Sequence, residues 1–386
     1  MPDELRVALV GYGLAGSLFH APLIAYVPGL RLTTVVARSP AAAARARADL
    51  PGVRLLSSLD ELIAEATSID LVVLATPTPD HVSGATRLLD AGLGTIVDKP
   101  LAPTAEQAHA LVQHSAARGI PLGVFHNRRW DAEMRTLADP ELHARLGPLR
   151  RVESRFERWR PDTVERGWRV TTSGTGGGGV LLDLGTHLVD QALLLAGPVV
   201  AVSAWLARPR TQPGVHTWSE PGAEDDAFVV LEHDSGTVTH LSVGTRVALP
   251  GPRLRVLGRD GGVLVADLDG QEQRLRDGWR PGPGQWADQA PPARGEVVDH
   301  QGRRVLSGAT GNWPGYYEQV RDAVTDDARL PVPGSDAVAV ARVLDAARWS
   351  AQTGERRALD PPAQLAAPPL AAPRGETPRE VRRLAR

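Results

Sequence analysis

The sequence predicts an α/β protein built from an N-terminal doubly wound Rossmann domain and a C-terminal α+β domain with an open, mostly antiparallel sheet. Three observations predict it. A glycine-rich GxGxxG loop follows the first apolar strand, apolar strands and helices then alternate up to residue 125, and runs of strands with few helices follow. A length of 386 residues accommodates two domains.

Composition narrows the class of protein. The net charge of -2 gives no electrostatic case for binding nucleic acid or an acidic membrane surface. Cysteine is absent, which excludes disulfides, zinc–cysteine sites and thiol nucleophiles. The N-terminus lacks a signal-peptide pattern, and no apolar run approaches the ~20 residues of a membrane span. A cytoplasmic enzyme without membrane or nucleic-acid partners is therefore expected.

The first element is a strand over 5–10 that leads into the loop Gly11-Tyr12-Gly13-Leu14-Ala15-Gly16 and a helix to Tyr26. In such loops the first glycine makes the turn, the second lets the backbone approach a pyrophosphate, and the third lets helix and strand pack closely. The phosphate then lies at the helix N-terminus. All six loop residues are predicted to bind a dinucleotide; a merely tight turn is the alternative.

The second strand, over 32–37, is followed by Arg38 and Ser39 and by no carboxylate. An acidic residue here would hold the ribose 2′-hydroxyl of NAD, whereas an arginine accommodates the 2′-phosphate of NADP. Arg38 and Ser39 are therefore predicted to bind NADP, with NAD as the alternative cofactor. Ser39 could equally cap the next helix, whose first position is Pro40.

The α/β alternation continues with a strand over 70–75 that ends in Thr76 and Pro77. Both residues are expected at the cofactor, since ligands bind outside the carboxyl ends of parallel strands. A helix over about 79–90 carries His81 in its first turn, where it is either a cofactor contact or a surface residue. Further strands over 95–97 and 121–125 complete the predicted domain of residues 1–125.

Lys99 is the only lysine in a chain whose other 42 basic side chains are arginines. Arginine supplies charge alone, whereas lysine is a compact amine that can also exchange a proton. Lys99 follows a buried strand at the ligand-binding edge of the predicted sheet. It is therefore a candidate catalytic and cofactor-binding residue. The alternative is that Lys99 has no functional role and remains by chance in a sequence whose composition has shifted to arginine.

The second part, residues 126–360, begins with the polar cluster His126-Asn127-Arg128-Arg129-Trp130-Asp131 at another strand end. Asn127 and Arg128 are candidate substrate contacts, and a solvated helix start is the alternative. A helix is expected from Asp131 to Arg145. Alternating strands over 151–156, 199–207, 227–232, 237–243 and 254–257 then predict the open sheet.

A second chemical centre follows the glycines at 176–179. Asp183, His187 and Asp190 fall on one face of a predicted helix that ends at Ala196. A carboxylate one turn from a histidine can orient its imidazole, and histidine accepts a proton near neutral pH. A helix-start aspartate beside a satisfied core histidine is the alternative. No spacing supports a metal site. Two helices over 316–324 and 335–352 come last, and residues 361–386 are expected to be a disordered tail.

These segments together resemble the Gfo/Idh/MocA oxidoreductase family over roughly residues 5–360. The resemblance rests on the glycine loop, on Asp98-Lys99-Pro100 in place of the family's Glu-Lys-Pro, on Trp168-Arg169, and on Asp183-Leu184-Gly185-Thr186-His187. Further segments resemble its NADP-dependent scyllo-inositol dehydrogenase branch, and the branch segments are Phe19-His20-Ala21-Pro22, His126 to Asp131, Arg160-Pro161 and Tyr316-Tyr317.

The resemblance implies catalytic roles for Lys99, Asp183 and His187, with Asp183 as the partner that contacts the substrate. His187 would remove the hydroxyl proton of a secondary alcohol while a hydride passes to the nicotinamide. Lys99 would polarise the oxygen or relay the proton. The same resemblance places further residues in the substrate pocket, namely Asn127, Arg128, Arg160, Trp168 and Arg169. Asp98 is one methylene shorter than the family's glutamate.

The expected function is thus an NADP-dependent dehydrogenase of a cyclitol, sugar or polyol. Two alternatives stay open: a reductase of a keto-sugar or imine in a biosynthetic pathway, and a non-catalytic NADP-binding regulator. The open sheet and the family suggest a homodimer or homotetramer.

Overall fold

The computed structural model describes residues 4–160, 174–207, 223–280, 285–286, 290–326 and 328–366. The site predictions for Trp168 and Arg169 lie outside these residues.

The first half contains a six-stranded parallel sheet in the order β3-β2-β1-β4-β5-β6. Its strands are β1 (Leu5–Val10), β2 (Leu30–Val36), β3 (Arg54–Leu56), β4 (Leu71–Leu74), β5 (Thr95–Asp98) and β6 (Leu122–Phe125). Apolar side chains on both faces explain the near-continuous hydrophobic runs, as buried parallel sheets require. The doubly wound domain is confirmed, and the short strand β3 is an addition to the predicted set.

Helices cover both faces of this sheet. They are a π-helical turn Gly16–His20 that continues into α1 (Ala21–Tyr26), α2 (Pro40–Asp49), α3 (Leu59–Ala64), α4 (His81–Asp90) and α5 (Ala105–Arg118). Hydroxyl groups cap three of them: Ser39 Oγ accepts from Ala42 N–H, and Ser58 and Thr104 do the same for α3 and α5.

Between the two sheets, a 3₁₀ turn Asn127–Trp130 precedes α6 (Ala132–Leu137) and α7 (Pro140–Leu146). The single helix predicted from Asp131 to Arg145 is therefore wrong. Pro140 has no N–H for the helix ladder, and Asp139 Oδ1 accepts from Glu141 N–H at 3.0 Å, so the chain starts a new helix there.

The second half contains a nine-stranded sheet in the order β14-β13-β12-β11-β7-β10-β9-β8-β15. Its strands are β7 (Leu149–Glu157), β8 (Val199–Ala207), β9 (Asp226–His233), β10 (Val238–Gly244), β11 (Leu254–Gly258), β12 (Gly261–Val265), β13 (Gly295–Asp299), β14 (Gly302–Val305) and β15 (Arg357–Ala363). Only β7 and β10, among these strands, pair in parallel. The open, mostly antiparallel sheet is confirmed.

One face of this sheet is packed and the other is open. Along β9, Ala227, Val229 and Leu231 are buried against helices, whereas Phe228 points outward and is 41% exposed. The covering helices are α8 (Thr186–Ala196), which continues a π-helical turn Leu181–Gly185, and α11 (Gly334–Thr353); α9 (Gln271–Arg276) and α10 (Pro314–Thr325) complete the helices that the site uses.

The two C-terminal helices join the halves. Side chains of α10 and α11 enter the core of the first sheet, and α11 also packs on the second. The segment before α11 lies beside the edge strand β6 and pairs with it, since Val124 N–H donates to Val332 O at 3.0 Å.

The disordered tail was predicted to begin at Pro361, and the structure contradicts that start. Residues 361–363 belong to β15, whose Ala363 is fully buried opposite Val199. The strand forms despite its two prolines because it lies at the sheet edge, where one side needs no ladder bond. Residues 367–386 lie outside the described part. No described helix has both the length and the apolar content needed to cross a membrane.

Candidate active site

The candidate site is a cavity of about 460 Å³ between the two sheets. Four chain segments that leave the carboxyl ends of β1, β4, β5 and β6 enter it, with Gly13, Thr76, Lys99 and Asn127 among its lining residues. This is the edge at which open α/β sheets bind ligands. The second half supplies the opposite wall, so the site depends on both halves of the chain.

The glycine loop has the geometry that a dinucleotide needs. Gly11 has a positive φ of 100°, which an L side chain rarely adopts. A Cβ at Gly16 would lie 2.1 Å from Gly11 O, so helix and strand touch there. A Cβ at Gly13 would meet nothing within 4 Å, and Gly13, Leu14 and Ala15 line the cavity. The exposed backbone at Gly13 therefore fits a pyrophosphate.

Thr76 and Pro77 also line the cavity, immediately after β4. His81 is buried, and its ring nitrogens contact two backbone carbonyls: Nδ1 lies 2.7 Å from Pro100 O and Nε2 lies 2.9 Å from Thr76 O. The surface alternative for His81 is therefore wrong, because the side chain is enclosed between these two loops. His81 ties the loop after β4 to the loop that carries Lys99.

Lys99 reaches across the cavity to the second half. Its Nζ donates to Asp183 Oδ1 at 2.8 Å and to Asp183 O at 2.6 Å. Both side chains are largely but not fully enclosed, at 16% and 29% exposure. An ammonium group has three donors, so two are held by Asp183 and one can face a ligand. The structure thus brings together two predicted catalytic residues 84 positions apart in the chain.

His187 lies in the same cavity, at the start of α8. Burial, reinforced by the charges of Lys99 and Arg128, holds the pKa of this imidazole well below its ordinary value. Its Nδ1 is enclosed and has no hydrogen-bond partner in the described part of the chain, which leaves Nε2 as the nitrogen that can meet a ligand. A neutral imidazole at this position can accept a proton.

The structure does not show the contact predicted for Asp183, His187 and Asp190, in which a carboxylate on the same helix face orients the imidazole. Asp183 lies in the π-helical turn before α8, and its carboxylate accepts from Lys99. Asp190 accepts a bidentate pair of bonds from Arg129, at 2.6 and 2.9 Å. The wider π turn changes the side-chain register that an α-helix would impose, so neither carboxylate serves as the predicted orienting group for His187.

The arginine-rich cluster after β6 forms the floor of the cavity. Arg128 is buried, and its guanidinium donates to Asp131 at 3.1 Å and to Glu272 at 2.7 Å. The solvated alternative for this cluster is therefore wrong. Asn127 is buried at the cavity, and Arg160 lines its outer part.

Arg38 and Ser39 lie beyond the carboxyl end of β2. Ser39 caps α2, as its alternative reading stated. The exposed Arg38 guanidinium pairs with Asp80 Oδ2 at 2.9 Å. Neither residue lines the main cavity, and their predicted contact with a cofactor phosphate stays a prediction.

Several lining residues were not predicted as site residues from the sequence. These are Phe156, Glu224, Thr245, Glu272, Arg276 and Trp313, while Phe19 was noted only as part of a segment that carries the family resemblance. They come from separate elements of both halves, and only the tertiary fold gathers them. Glu224 Oε1 accepts from Leu181 N–H at 2.9 Å and thereby supports the turn that holds Asp183.

Two family models match the chain. The model described as "Oxidoreductase family, NAD-binding Rossmann fold" (GFO_IDH_MocA) matches residues 5–126. The model described as "Oxidoreductase family, C-terminal alpha/beta domain" (GFO_IDH_MocA_C) matches residues 143–359. Together they span both halves and both walls of the cavity.

Individual proteins are similar over most of the chain. The oxidoreductase YdgJ of Escherichia coli is 35% identical over 350 residues, 89% of this chain and 96% of that protein. The scyllo-inositol 2-dehydrogenase (NADP(+)) IolW of Bacillus subtilis is 29% identical over 362 residues, 92% and 96% of the two chains. Among solved structures, YPO2259 from Yersinia pestis superposes with a TM-score of 0.81 at 34% identity, covering 93% and 98%.

Proposed function

This chain belongs to the Gfo/Idh/MocA oxidoreductase family and contains its NAD-binding Rossmann domain, and from that premise we propose that it is an NADP-dependent dehydrogenase. The proposed reaction oxidises a secondary alcohol of a cyclitol, sugar or polyol. One observation carries the proposal: an amine held by a carboxylate, Lys99 on Asp183, shares a cavity with the neutral, enclosed imidazole of His187.

The cofactor would be held along the carboxyl edge of the first sheet. Backbone groups of Gly13, Leu14 and Ala15 would contact its pyrophosphate, and Thr76 and Pro77 would line the path towards Lys99. When bound, the nicotinamide ring supplies the two-electron acceptor for the reaction.

His187 acts as the general base. Its lowered pKa keeps the imidazole neutral at pH 7, so that Nε2 accepts the proton of the substrate hydroxyl. Arg128 and Lys99 contribute to that shift, and the same positive charges stabilise the negative charge that develops on the substrate oxygen.

Lys99 positions and polarises the substrate oxygen. Asp183 takes two of its donors, which fixes the direction of the third towards the cavity. Asp183 thus acts on the reaction through Lys99, and the remaining solvent access of both groups offers a route by which the proton leaves the site.

The residues after β2 support the proposed preference for NADP. Arg38 is exposed there with no carboxylate beside it in the sequence, and its partner Asp80 belongs to the opposite turn. An arginine in this place suits a 2′-phosphate and an acidic residue would repel one. The similarity to an NADP-dependent inositol dehydrogenase supports the same preference.

We further propose a cytoplasmic homo-oligomer that associates through the open face of the second sheet. Trp205 and Phe228 stand 6.0 Å apart on that face and are 52% and 41% exposed. Exposed aromatic pairs on an otherwise bare sheet are typical of interfaces. Light scattering of the wild type and of Trp205→Glu tests this: the variant should have the smaller mass, and an already monomeric wild type would contradict it.

The deciding experiment follows nicotinamide absorbance with NADP⁺ or NAD⁺ against neutral and charged cyclitols, sugars and polyols. Wild-type turnover that is faster with NADP⁺ and is lost in His187→Asn supports the proposal. Cofactor binding with no turnover of any alcohol would contradict it. Reduction of keto-sugars without detectable oxidation would replace it with the reductase alternative.

A further inference from the structure

One side of the cavity contains a cluster of arginines. Arg128, Arg158, Arg160 and Arg276 all line it, and they come from three different elements of the second half. One carboxylate, Glu272, lies among them. It accepts from Arg128 at 2.7 Å, from Arg276 at 2.8 Å and from Arg158 at a longer 3.4 Å.

An aromatic ring fixes the spacing of two of these groups. The guanidinium carbons of Arg128 and Arg158 lie 4.7 and 4.8 Å from the centre of the Phe156 ring. Cation–π contacts of this kind hold planar guanidinium groups in place and leave their N–H edges available. Phe156 itself is fully buried in β7, so its ring is a rigid support.

Fewer carboxylates than guanidinium groups form ion pairs within this cluster, among the described residues. Besides Glu272, only Asp131 pairs with these arginines, through Arg128. In the described part of the chain, the exposed Arg160 side chain has no ion-pair partner. Three guanidinium groups overcome burial and lower the pKa of Glu272 to about 2, so this carboxylate is already ionised and shared.

Four further carboxylates line the cavity, and these are Asp98, Asp183, Glu224 and Asp225. Asp183 accepts from Lys99, and Glu224 accepts from Leu181 N–H. Asp225 also has a partner of its own. The cavity as a whole therefore has no excess charge, but its guanidinium groups are concentrated in one cluster, where only Glu272 and Asp131 pair with them in the described part of the chain. Arg128 of this cluster also influences the imidazole of His187.

We propose that the substrate of this site carries an oxyanion, a carboxylate or a phosphate monoester, which the arginine cluster binds while a secondary hydroxyl meets His187 and Lys99. This inference rests on the proposed dehydrogenase function and names its substrate class as an acidic sugar or polyol. Guanidinium forks match the two oxygens of a carboxylate or phosphate. Arg160 is exposed and has no ion-pair partner within the described residues, so the substrate anion would be its main partner.

The test compares matched substrates that differ in one group. Glucose is paired with glucuronate and with glucose 6-phosphate, and myo-inositol with its monophosphate, each at saturating NADP⁺. The wild type should have a kcat/KM at least tenfold higher for an acidic member than for its neutral partner, and the better of the two acids tells carboxylate from phosphate. Arg160→Gln should lower kcat/KM for that acid tenfold to a hundredfold, the effect of a lost charge-assisted hydrogen bond, and change the neutral partner less than threefold.

Arg255→Gln is the matched control, because Arg255 lies on β11 of the same sheet outside this cavity and pairs with Glu153. Arg255→Gln should change kcat/KM for neither the acidic substrate nor its neutral partner. NADP⁺ affinity, measured by tryptophan fluorescence, should be unchanged in Arg160→Gln.

Three results would overturn the inference. Neutral substrates turned over as fast as acidic ones would show that the dehydrogenase function stands without the anion site. A parallel loss of both substrates in Arg160→Gln would indicate a structural role. Weaker NADP⁺ binding in that variant would assign the arginines to the cofactor phosphates. Absence of turnover with every substrate would instead count against the proposed function itself.

Discussion

Replacing Lys99 separates the charge of this side chain from its chemistry. Lys99→Arg keeps the positive charge beside Asp183 but removes the amine, whereas Lys99→Met removes both. If Lys99 positions and polarises the substrate oxygen through a compact third donor, both variants should lose turnover. Only the methionine variant should also change the electrostatics around His187, because the charge of Lys99 is one cause of its lowered pKa, after burial.

The magnitudes follow from the contacts. The larger guanidinium cannot occupy the place of Nζ at 2.6 and 2.8 Å from Asp183 without displacing its own donors from the substrate. General acid–base and polarising groups contribute about 10²–10⁴ in rate, so kcat should fall at least about 10²-fold in both variants. Asp183 is 29% exposed and can be rehydrated, so the loss of the ion pair should cost stability only roughly 1–2 kcal/mol.

The assay is the pH profile of kcat/KM for alcohol oxidation together with thermal unfolding. Oxidation needs neutral His187, so the rate should fall only at a pH well below 6.5 in the wild type and in Lys99→Arg. In Lys99→Met this acid limb should move to higher pH, because a positive neighbour has been removed. Full activity in Lys99→Arg, or an unmoved acid limb in Lys99→Met, would refute the reasoning.

Three further predictions concern the cofactor loop and the buried charges. Gly13→Val should fold normally but bind NADP⁺ at least about tenfold more weakly, since its side chain enters open space at the phosphate loop; an unchanged Kd would contradict this. Arg129→Met should destabilise the protein by about 3–5 kcal/mol in chemical denaturation, because the buried Asp190 and Asp336 lose their shared partner; a loss below about 1 kcal/mol would disagree. Burial lowers the pKa of His233 to about 4, so its stabilising contribution is complete above pH 6.5 and is lost as the pH falls towards 4. The stability advantage of wild type over His233→Gln should therefore shrink by about 3 kcal/mol across that range, and parallel pH profiles would exclude this role.

Local patterns were sufficient for most of the first half. Continuous apolar runs predicted β1, β4 and β5, and glycine spacing predicted the phosphate loop, because these features depend on neighbouring residues only. The strand β3 was not predicted because Arg54-Leu55-Leu56 is too short to show a hydrophobic periodicity. In the second sheet, β13 and β14 were missed for a related reason: Arg303 and Arg304 leave the edge hairpin without an apolar face.

The contacts of the site depend on long-range packing, which the sequence does not encode locally. Helical spacing assigned Asp183 to His187, four residues away. The folded chain instead presents Lys99, 84 residues away, at hydrogen-bond distance from Asp183. His81 illustrates the same limit, since its burial depends on carbonyls of two loops that only the parallel sheet brings together.

The parallel pairing of β7 with β10 could not be anticipated either. Alternation along each strand predicts which face is buried, but it does not predict which strands pair. The glycine run, α8 and two further strands separate β7 from β10 in the chain, and the two strands are nevertheless neighbours in the sheet. Strand direction in such a sheet follows from the route of the whole connection.

The position of α11 has a consequence for how the protein is made. This helix packs on both sheets, and Asp345 in its middle caps the N-terminus of α5 at 2.7 Å. The nucleotide-binding half therefore gains its last layer from residues 334–353. At about 5–20 residues per second, a ribosome needs roughly 17–70 seconds to synthesise the first 340 residues. Until then the apolar underside of β6 and α5 stays uncovered, so the nascent chain is a natural substrate for chaperones that shield apolar surface.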